Sequence, residues 1–438
     1  MLCAGLLFSL LINYSTSGAK KVSPIRRHFL FLAPGPGIWY NKKKIMGKPK
    51  REGIRTMQYR RLGKTNLMVS EVGFGGEWLE RHPESESVAL LKYAHKLGVN
   101  IIDCWMPDPK SRDIIGQAIA EDRAGWYVQG HVGSTYQNGQ YTRTRDVAQC
   151  RIAFEDLLSR LQTDYVDLGM IHYVDLESDW ELVSHPGPYQ DYVMELKAQG
   201  KIRHIGLSTH NPAIAKKAAE SGLVEMILFS VNPAFDLMPP TDNLDNYFAD
   251  TYADGLNGVD PVRVEMYKVC QRQDVGITCM KPFAGGRLFD AARSPFGVAL
   301  TPVQCIHYCL TKPGVASVLC GYDTAAQVDA AVAYETASDG EKDYASVLAS
   351  APKHTFTGGE CTYCGHCKPC PVDIDIAMVN KLYDLAVMQQ TVPASLREHY
   401  LSLAHHADEC IGCQGCESRC PFGVKVADRM IKTAELFR

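Results

Sequence analysis

The sequence predicts an α/β protein: a (β/α)8 barrel followed by a smaller, cysteine-rich C-terminal domain. Three observations carry that prediction. Eight short apolar, β-rich runs alternate with amphipathic stretches from residue 71 onward, the signature of βα units around a parallel sheet. Polar residues suited to chemistry fall at or near the ends of those runs, where such barrels hold their active sites. Eight of the 16 cysteines are packed into residues 361 to 420.

In chain order, residues 1–56 come first and carry no period. They open on MLCAGLLFSLLI, which has neither a positive flank before it nor an A-x-A cleavage site after it and is too short to span a bilayer. The expectation is a disordered or misassigned start-site extension, with an export signal as the alternative. The strands predicted next are EVGFGG (71–76), NIIDC (100–104), WYVQGHV (126–132), YVDLGMIH (165–172), IRHIGLST (202–209), MILFSVN (226–232), GITCMKP (276–282) and SVLCG (317–321). Helices are predicted at 87–96, 111–120, 143–161, 189–198, 214–221, 261–273, 301–310 and 324–334. Asp103, His131, His172, Ser208, Asn232 and Lys281 stand at the strand ends. One connection, residues 232–260, is oversized and rich in Asp, Asn, Pro, Phe and Tyr, which makes it a lid candidate on the active-site face. The expected boundaries are 1–56 for the extension, 57–340 for the barrel and 341–438 for the cysteine-rich domain.

A formal net charge of -3 supplies no attraction to nucleic acid or an anionic membrane. Clustered thiols in a long chain read as metal ligands in a reducing compartment, hence a cytoplasmic protein, rather than as a disulfide framework.

Residues 361–371 read CTYCGHCKPCP and residues 410–421 read CIGCQGCESRCP. Each is a C-x2-C-x2-C run closed by Cys-Pro. Three thiolates at that spacing wrap one cubane, and the fourth reaches the other cluster. The pattern resembles the bacterial two-cluster ferredoxin module. That resemblance implies one [4Fe-4S] cluster on Cys361, Cys364, Cys367 and Cys420 and a second on Cys410, Cys413, Cys416 and Cys370. A pair of four-cysteine zinc sites is the alternative. A helical insert of roughly 40 residues separates the runs, and its apolar spacing predicts packing on the barrel.

The barrel motifs YRRLGKTNLMVSEVGFGG, NIIDCWMPDPKSRDIIG, VDLGMIHY, GKIRHIGLSTHNP, MKPFAGGRL and VLCGYDTAAQV, in that order, look like the aldo/keto reductases, in the branch with a C-terminal ferredoxin-like module. The resemblance covers about residues 57 to 424. It implies a barrel that binds NAD(H) or NADP(H) and reduces a carbonyl by hydride with an Asp-Tyr-Lys-His tetrad. Asp103 and His172 match that tetrad, while Asp108 stands at the tyrosine position and His131 at the lysine position. His131 beside Asp103 could donate or take a proton near neutral pH, and Asp108 would be an acid only if burial raised its pKa. Two imidazoles and two carboxylates also suit a transition metal.

By the same resemblance Ser208 and Asn232 face the nicotinamide amide. Lys281 and the turn Phe283, Gly285, Gly286 and Leu288 meet the pyrophosphate. Gly321, Thr324 and Gln327 surround the adenosine. No Arg or Lys in GYDTAAQVDA waits for a 2'-phosphate, which argues for NADH, and Ala331 replaces the family's closing Asn. The expected function is an iron-sulfur oxidoreductase acting on a small carbonyl or hydroxyl compound, with a redox partner protein for the clusters. A non-hydride lyase or isomerase using the Asp/His set and an electron-transfer protein with a decayed barrel site are the alternatives. Cys104, beside Asp103, is expected to be a buried structural thiol.

Overall fold

The computed structural model describes residues 57–438 apart from residues 78, 242–257, 355–360, 362, 388 and 390. All eight predicted barrel strands form, as β3 (Val72–Gly75), β4 (Ile101–Cys104), β5 (Tyr127–Val132), β8 (Val166–Ile171), β9 (Ile202–Thr209), β10 (Met226–Ser230), β11 (Gly276–Met280) and β12 (Val315–Gly321). They pair in parallel and close in the order β10-β11-β12-β3-β4-β5-β8-β9, a TIM barrel.

Two hairpins were not anticipated as strands. β1 (Tyr59–Arg61) and β2 (Met68–Ser70) pair antiparallel before the barrel begins. Leu62 and Val69 from this unit pack with Leu168, Met170, Met226, Leu228 and Leu319 from the barrel interior. Lys64 donates its N–H to the Asp274 carbonyl just ahead of β11, so the hairpin plugs the N-terminal end of the barrel. Chemistry is left to the opposite rim. There the second hairpin, β6 (Ser134–Gln137) and β7 (Gln140–Arg143), follows β5 directly. Its two-residue turn is Asn138-Gly139, with φ of 52° and 79°, the positive pair that a type I′ turn demands.

Helices fall where the apolar period places them, and those expected from 111, 189 and 214 start one or two residues earlier, because a proline at the first position satisfies rather than breaks a helix start. Pro109, Pro188, Pro212, Pro261 and Pro302 all occupy such positions. The predicted helix from residue 143 starts instead at Val147, capped by Asp146, since residues up to Arg143 are taken by β7.

The suspected lid begins with Asn232, which caps the short helix Pro233–Asp236, and residues 242–257 lie outside the described residues, as does the extension 1–56. Asp236 is wholly buried and tied down from three sides: Tyr267 and Tyr308 donate to it at 2.8 and 2.7 Å and Arg263 at 3.2 Å.

In the C-terminal domain, helix Ile376–Val387 packs on barrel helix Pro261–Arg272 and on the final helix Val426–Phe437. The predicted insert thus docks as expected. Asp384 joins the three parts: it accepts from Tyr363 in the first cysteine run at 2.8 Å, pairs with Arg429 of the last helix, and faces Lys268 of the barrel at 3.9 Å.

One half-buried histidine gives the barrel an acid-sensitive joint. His307, on helix Pro302–Thr311, has its pKa pushed down from 6.5 to about 4, first by burial and then by Lys342 and Arg60. The unfolded chain therefore binds this proton more readily, so the contribution to stability is complete above pH 6.5 and is lost as pH falls toward 4. Urea unfolding across that interval is expected to show a declining midpoint, and His307→Phe to show a shallower decline. Equal slopes for both proteins would refute the assignment.

Candidate active site and cluster loops

β4, β5 and β8 are neighbours in the barrel, so residues near their C-terminal ends converge. Asp103, His131 and His172 are all buried there. His131 Nε2 lies 2.9 Å from Asp103 Oδ1, and His131 Nδ1 lies 2.8 Å from His172 Nδ1. The three residues form one chain of hydrogen bonds.

Residues that the sequence reading passed over complete it. Gln129, two residues before His131 on the same face of β5, donates to Asp103 Oδ1 at 2.9 Å, and Thr278 of β11 fixes the amide by donating to its Oε1 at 2.9 Å. At the other end of the chain, the Tyr141 hydroxyl of hairpin strand β7 lies 2.8 Å from His172 Nε2. Trp105 walls the group, parallel to His172 at 6.0 Å and edge-on to Tyr141 at 5.4 Å between ring centres. Glu77, after β3, adds a carboxyl whose pKa is raised by burial, with Lys281 opposing and Asp103 reinforcing the shift.

Electrostatics favour a neutral His172. Burial holds its pKa well below 6.5, and the nearby His131, Arg145 and Arg143 add to the effect. Burial also pushes the Tyr141 hydroxyl up to about 12. Cys104 is buried on β4 with its thiol likewise raised to about 12, which makes it an inert packing group, as expected.

Asp108 is placed differently from the other three. Its Oδ1 accepts the N–H groups of Lys110 and Ser111 at 2.9 and 3.1 Å, capping helix Pro109–Ile119. The metal-site option for these four residues has no geometric support: among the described residues no three His, Cys, Asp or Glu side chains gather around a single ion position.

The residues expected to hold a nucleotide lie at the same rim, with uneven availability. Ser208 is buried and its Oγ accepts the Tyr173 N–H at 2.7 Å. Asn232 is committed at both ends of its amide, donating to the Lys281 carbonyl at 2.9 Å and accepting from Phe235 N at 2.8 Å. Thr324 and Gln327 form a capping box at the start of helix Ala325–Val332. After β11, Lys281, Ala284, Gly285 and Gly286 all have positive φ, a sharply coiled turn. Several of its N–H groups bond internally, Gly286 to the Phe283 carbonyl at 2.9 Å and Leu288 to the same oxygen at 3.5 Å. Gly285, Gly286 and Gly321 present open backbone, with no atom within 4 Å of where a Cβ would stand. An anion can therefore approach this surface closely, with Lys281 and Arg287 supplying positive charge in the same turn.

The cysteines line two cavities, and the sets cross between the runs. Cys361, Cys364, Cys367 and Cys420 line one, with Phe422 and Val424; Cys370, Cys410, Cys413 and Cys416 line the other, with Ile374 and Met430. Val426 lines both. Arg419 locks the runs together by donating to the carbonyls of Cys367 and Pro369 at 2.8 and 2.7 Å. Weak donors also reach the sulfurs, Asn380 to Cys361 at 3.6 Å and Val424 N to Cys420 at 3.4 Å. Four thiols around a cavity with apolar walls, rather than around a single ion position, fit a cubane cluster in each.

Comparison with known proteins agrees with this layout. The aldo/keto reductase family model matches residues 71–299, and a 4Fe-4S dicluster domain matches residues 358–424. Among curated relatives, "Uncharacterized oxidoreductase YqkF" of Bacillus subtilis is 27% identical over 187 residues, which is 42% of this chain and 58% of that protein. L-galactose dehydrogenase of Arabidopsis thaliana is 30% identical over 161 residues, 35% of this chain and 48% of that one. The chain thus spans about half the length of the curated relatives it matches. Among solved structures, aldo-keto reductase AKR11C1 from Bacillus halodurans in its holo form superposes with a TM-score of 0.51 at 22% identity, covering 66% of this chain and 94% of that one, a likeness of fold. Among the described residues no helix is long and apolar enough to cross a membrane.

Proposed function

Since the chain belongs to the aldo/keto reductase family and carries a C-terminal 4Fe-4S dicluster domain, we propose that it is a cytoplasmic oxidoreductase that interconverts a small carbonyl compound and its alcohol with a nicotinamide nucleotide. The observation that carries the reading is the buried Asp103–His131–His172 chain at the rim where such barrels work. A bound nucleotide supplies or accepts the hydride. Asp103 orients His131, and the paired imidazoles move the accompanying proton, with Trp105 packed against His172. Gly285 and Gly286, with Lys281 and Arg287, would take the phosphates, Gly321 would meet the adenosine, and Ser208 would face the nicotinamide end. The lack of a basic residue in GYDTAAQVDA favours NADH over NADPH.

The clusters serve a separate traffic. They pass electrons singly whereas hydride carries two, so exchange between the barrel and the clusters needs an intermediary, and a partner redox protein is the natural receiver. One observation favours a second reading, proton abstraction beside a carbonyl without hydride transfer: the Asn232 amide is already used within the fold.

An anaerobic titration of NADH and NADPH into cluster-reconstituted protein, followed by nucleotide fluorescence and cluster absorbance, separates these. Micromolar binding, tighter for NADH, is the expected outcome. An absence of binding at millimolar nucleotide would remove the hydride reading and leave the proton-transfer one.

A further inference from the structure

We infer that Tyr141, delivered by the β6–β7 hairpin, is the group that hands the proton to the substrate oxygen, with His172, His131 and Asp103 behind it as a one-proton relay. The inference rests on the carbonyl-reductase reading of the barrel. It assigns a catalytic role to a tyrosine far from the position where the tetrad resemblance expects one, since that position holds Asp108 and Asp108 caps a helix.

Hydrogen-bond polarity leads to it. A carboxylate can only accept, so the bond to Asp103 puts a proton on His131 Nε2. The 2.8 Å contact between the two Nδ1 atoms needs one proton between them, and each choice of its owner sets the next bond. If His172 owns it, a neutral His172 has its lone pair on Nε2 and Tyr141 must donate its O–H inward. If His131 owns it, as an imidazolium, the neutral His172 has its N–H on Nε2, Tyr141 accepts there, and the tyrosine O–H turns outward. The two arrangements differ by one proton, and only the second offers a proton to a ligand.

The reductive step balances on that difference. The carbonyl carbon takes a hydride from a reduced nicotinamide nucleotide, and the C=O π pair moves to the oxygen. That oxygen takes the Tyr141 proton; Tyr141 takes the one on His172 Nε2, and His172 Nδ1 takes the one on His131 Nδ1. The product is the alcohol, and the site is left in the inward arrangement. Solvent then restores one proton through the Tyr141 end. The oxidation of an alcohol runs the same chain backwards.

The surroundings hold both partners of the outermost bond. Arg143 and Arg145, which follow Tyr141 on the same strand end, donate to the carbonyls of Tyr173 and His172 at 2.7 and 2.6 Å. Both also pair with Asp179, at 3.1 and 2.8 Å, so the hairpin exit and the end of β8 are clamped together. Tyr141 is 37% exposed while His172 and His131 are buried, so the hydroxyl belongs to the one member of the chain that meets solvent.

The test uses full-length, cluster-reconstituted protein with 4-nitrobenzaldehyde as the carbonyl probe. Tyr141→Phe keeps the ring against Trp105 and removes only the hydroxyl. It is expected to lower kcat roughly 100-fold while leaving nucleotide affinity unchanged. Tyr136→Phe, directly across the hairpin from Tyr141, is expected to stay within about twofold. In 15N spectra of the histidine rings, Tyr141→Phe should shift the His172 Nε2 signal, a readout independent of turnover. Turnover within about threefold of wild type, or an unmoved His172 signal, would overturn the relay while leaving the reductase reading intact. A wild-type protein that never reduces the probe would instead sink the reductase reading, and the relay with it.

Discussion

His131→Asn is expected to lower turnover of a carbonyl probe by about 10³-fold with little change in nucleotide affinity. The side chain is buried, it touches Asp103 with one ring nitrogen and His172 with the other, and no other described group bridges them. Asparagine can still bond Asp103, but its amide cannot pick up and release a proton near neutral pH. The Asp103 carboxylate keeps Gln129 as a partner, so the variant should fold, and a thermal unfolding curve checks that. Turnover within tenfold of wild type would show that His131 is a wall residue.

Paired cysteine replacements give the second large effect, and it is one of arithmetic. Cys370 and Cys416 lie in different runs yet line the same cavity, whereas Cys416 and Cys420 lie in the same run and line different cavities. Cys370→Ala with Cys416→Ala is expected to lose about four of the roughly eight irons per chain, no more than either change alone. Cys416→Ala with Cys420→Ala is expected to lose nearly all. Iron and sulfide assays on anaerobically reconstituted protein decide it. A Cys416/Cys420 double variant that retained four irons would refute the crossed ligand sets. Because cluster binding and local folding are linked, both double variants should also become more sensitive to protease around residues 361–420.

The two parts of the site differed in how much of them could be read from the sequence, and the reason is distance along the chain. The cysteine sets follow from local spacing plus one crossing rule, and the cavities match them residue for residue. Barrel strands are apolar runs bounded by turns, so all eight could be read directly. Asp103, His131 and His172 could be placed because strand ends in a closed barrel share a rim. Tyr141 could not, since its partner lies 31 residues on and meets it only through the hairpin. The hairpin itself had a local signal: Asn138-Gly139 flanked by STYQ and QYTR is a two-residue turn between β-prone runs, lying between the strand expected at 126–132 and the helix expected from 143. Gln129 was hidden differently, inside a largely apolar strand run where only its partners on other strands, Asp103 and Thr278, give it a role. Asp108 shows the opposite error. An acid after a strand drew a chemical reading, while the proline that follows it and the N–H groups it accepts make it a helix cap.

Val426 lines both cysteine-lined cavities, so their walls share one aliphatic side chain, and this bears on capacity. Each cluster stores one electron, so one alone can never match what a hydride brings. Two clusters held in cavities that share a wall residue would together hold two electrons, the equivalent of one reduced nucleotide. On the proposed function, a partner protein would draw electrons singly from that two-electron store.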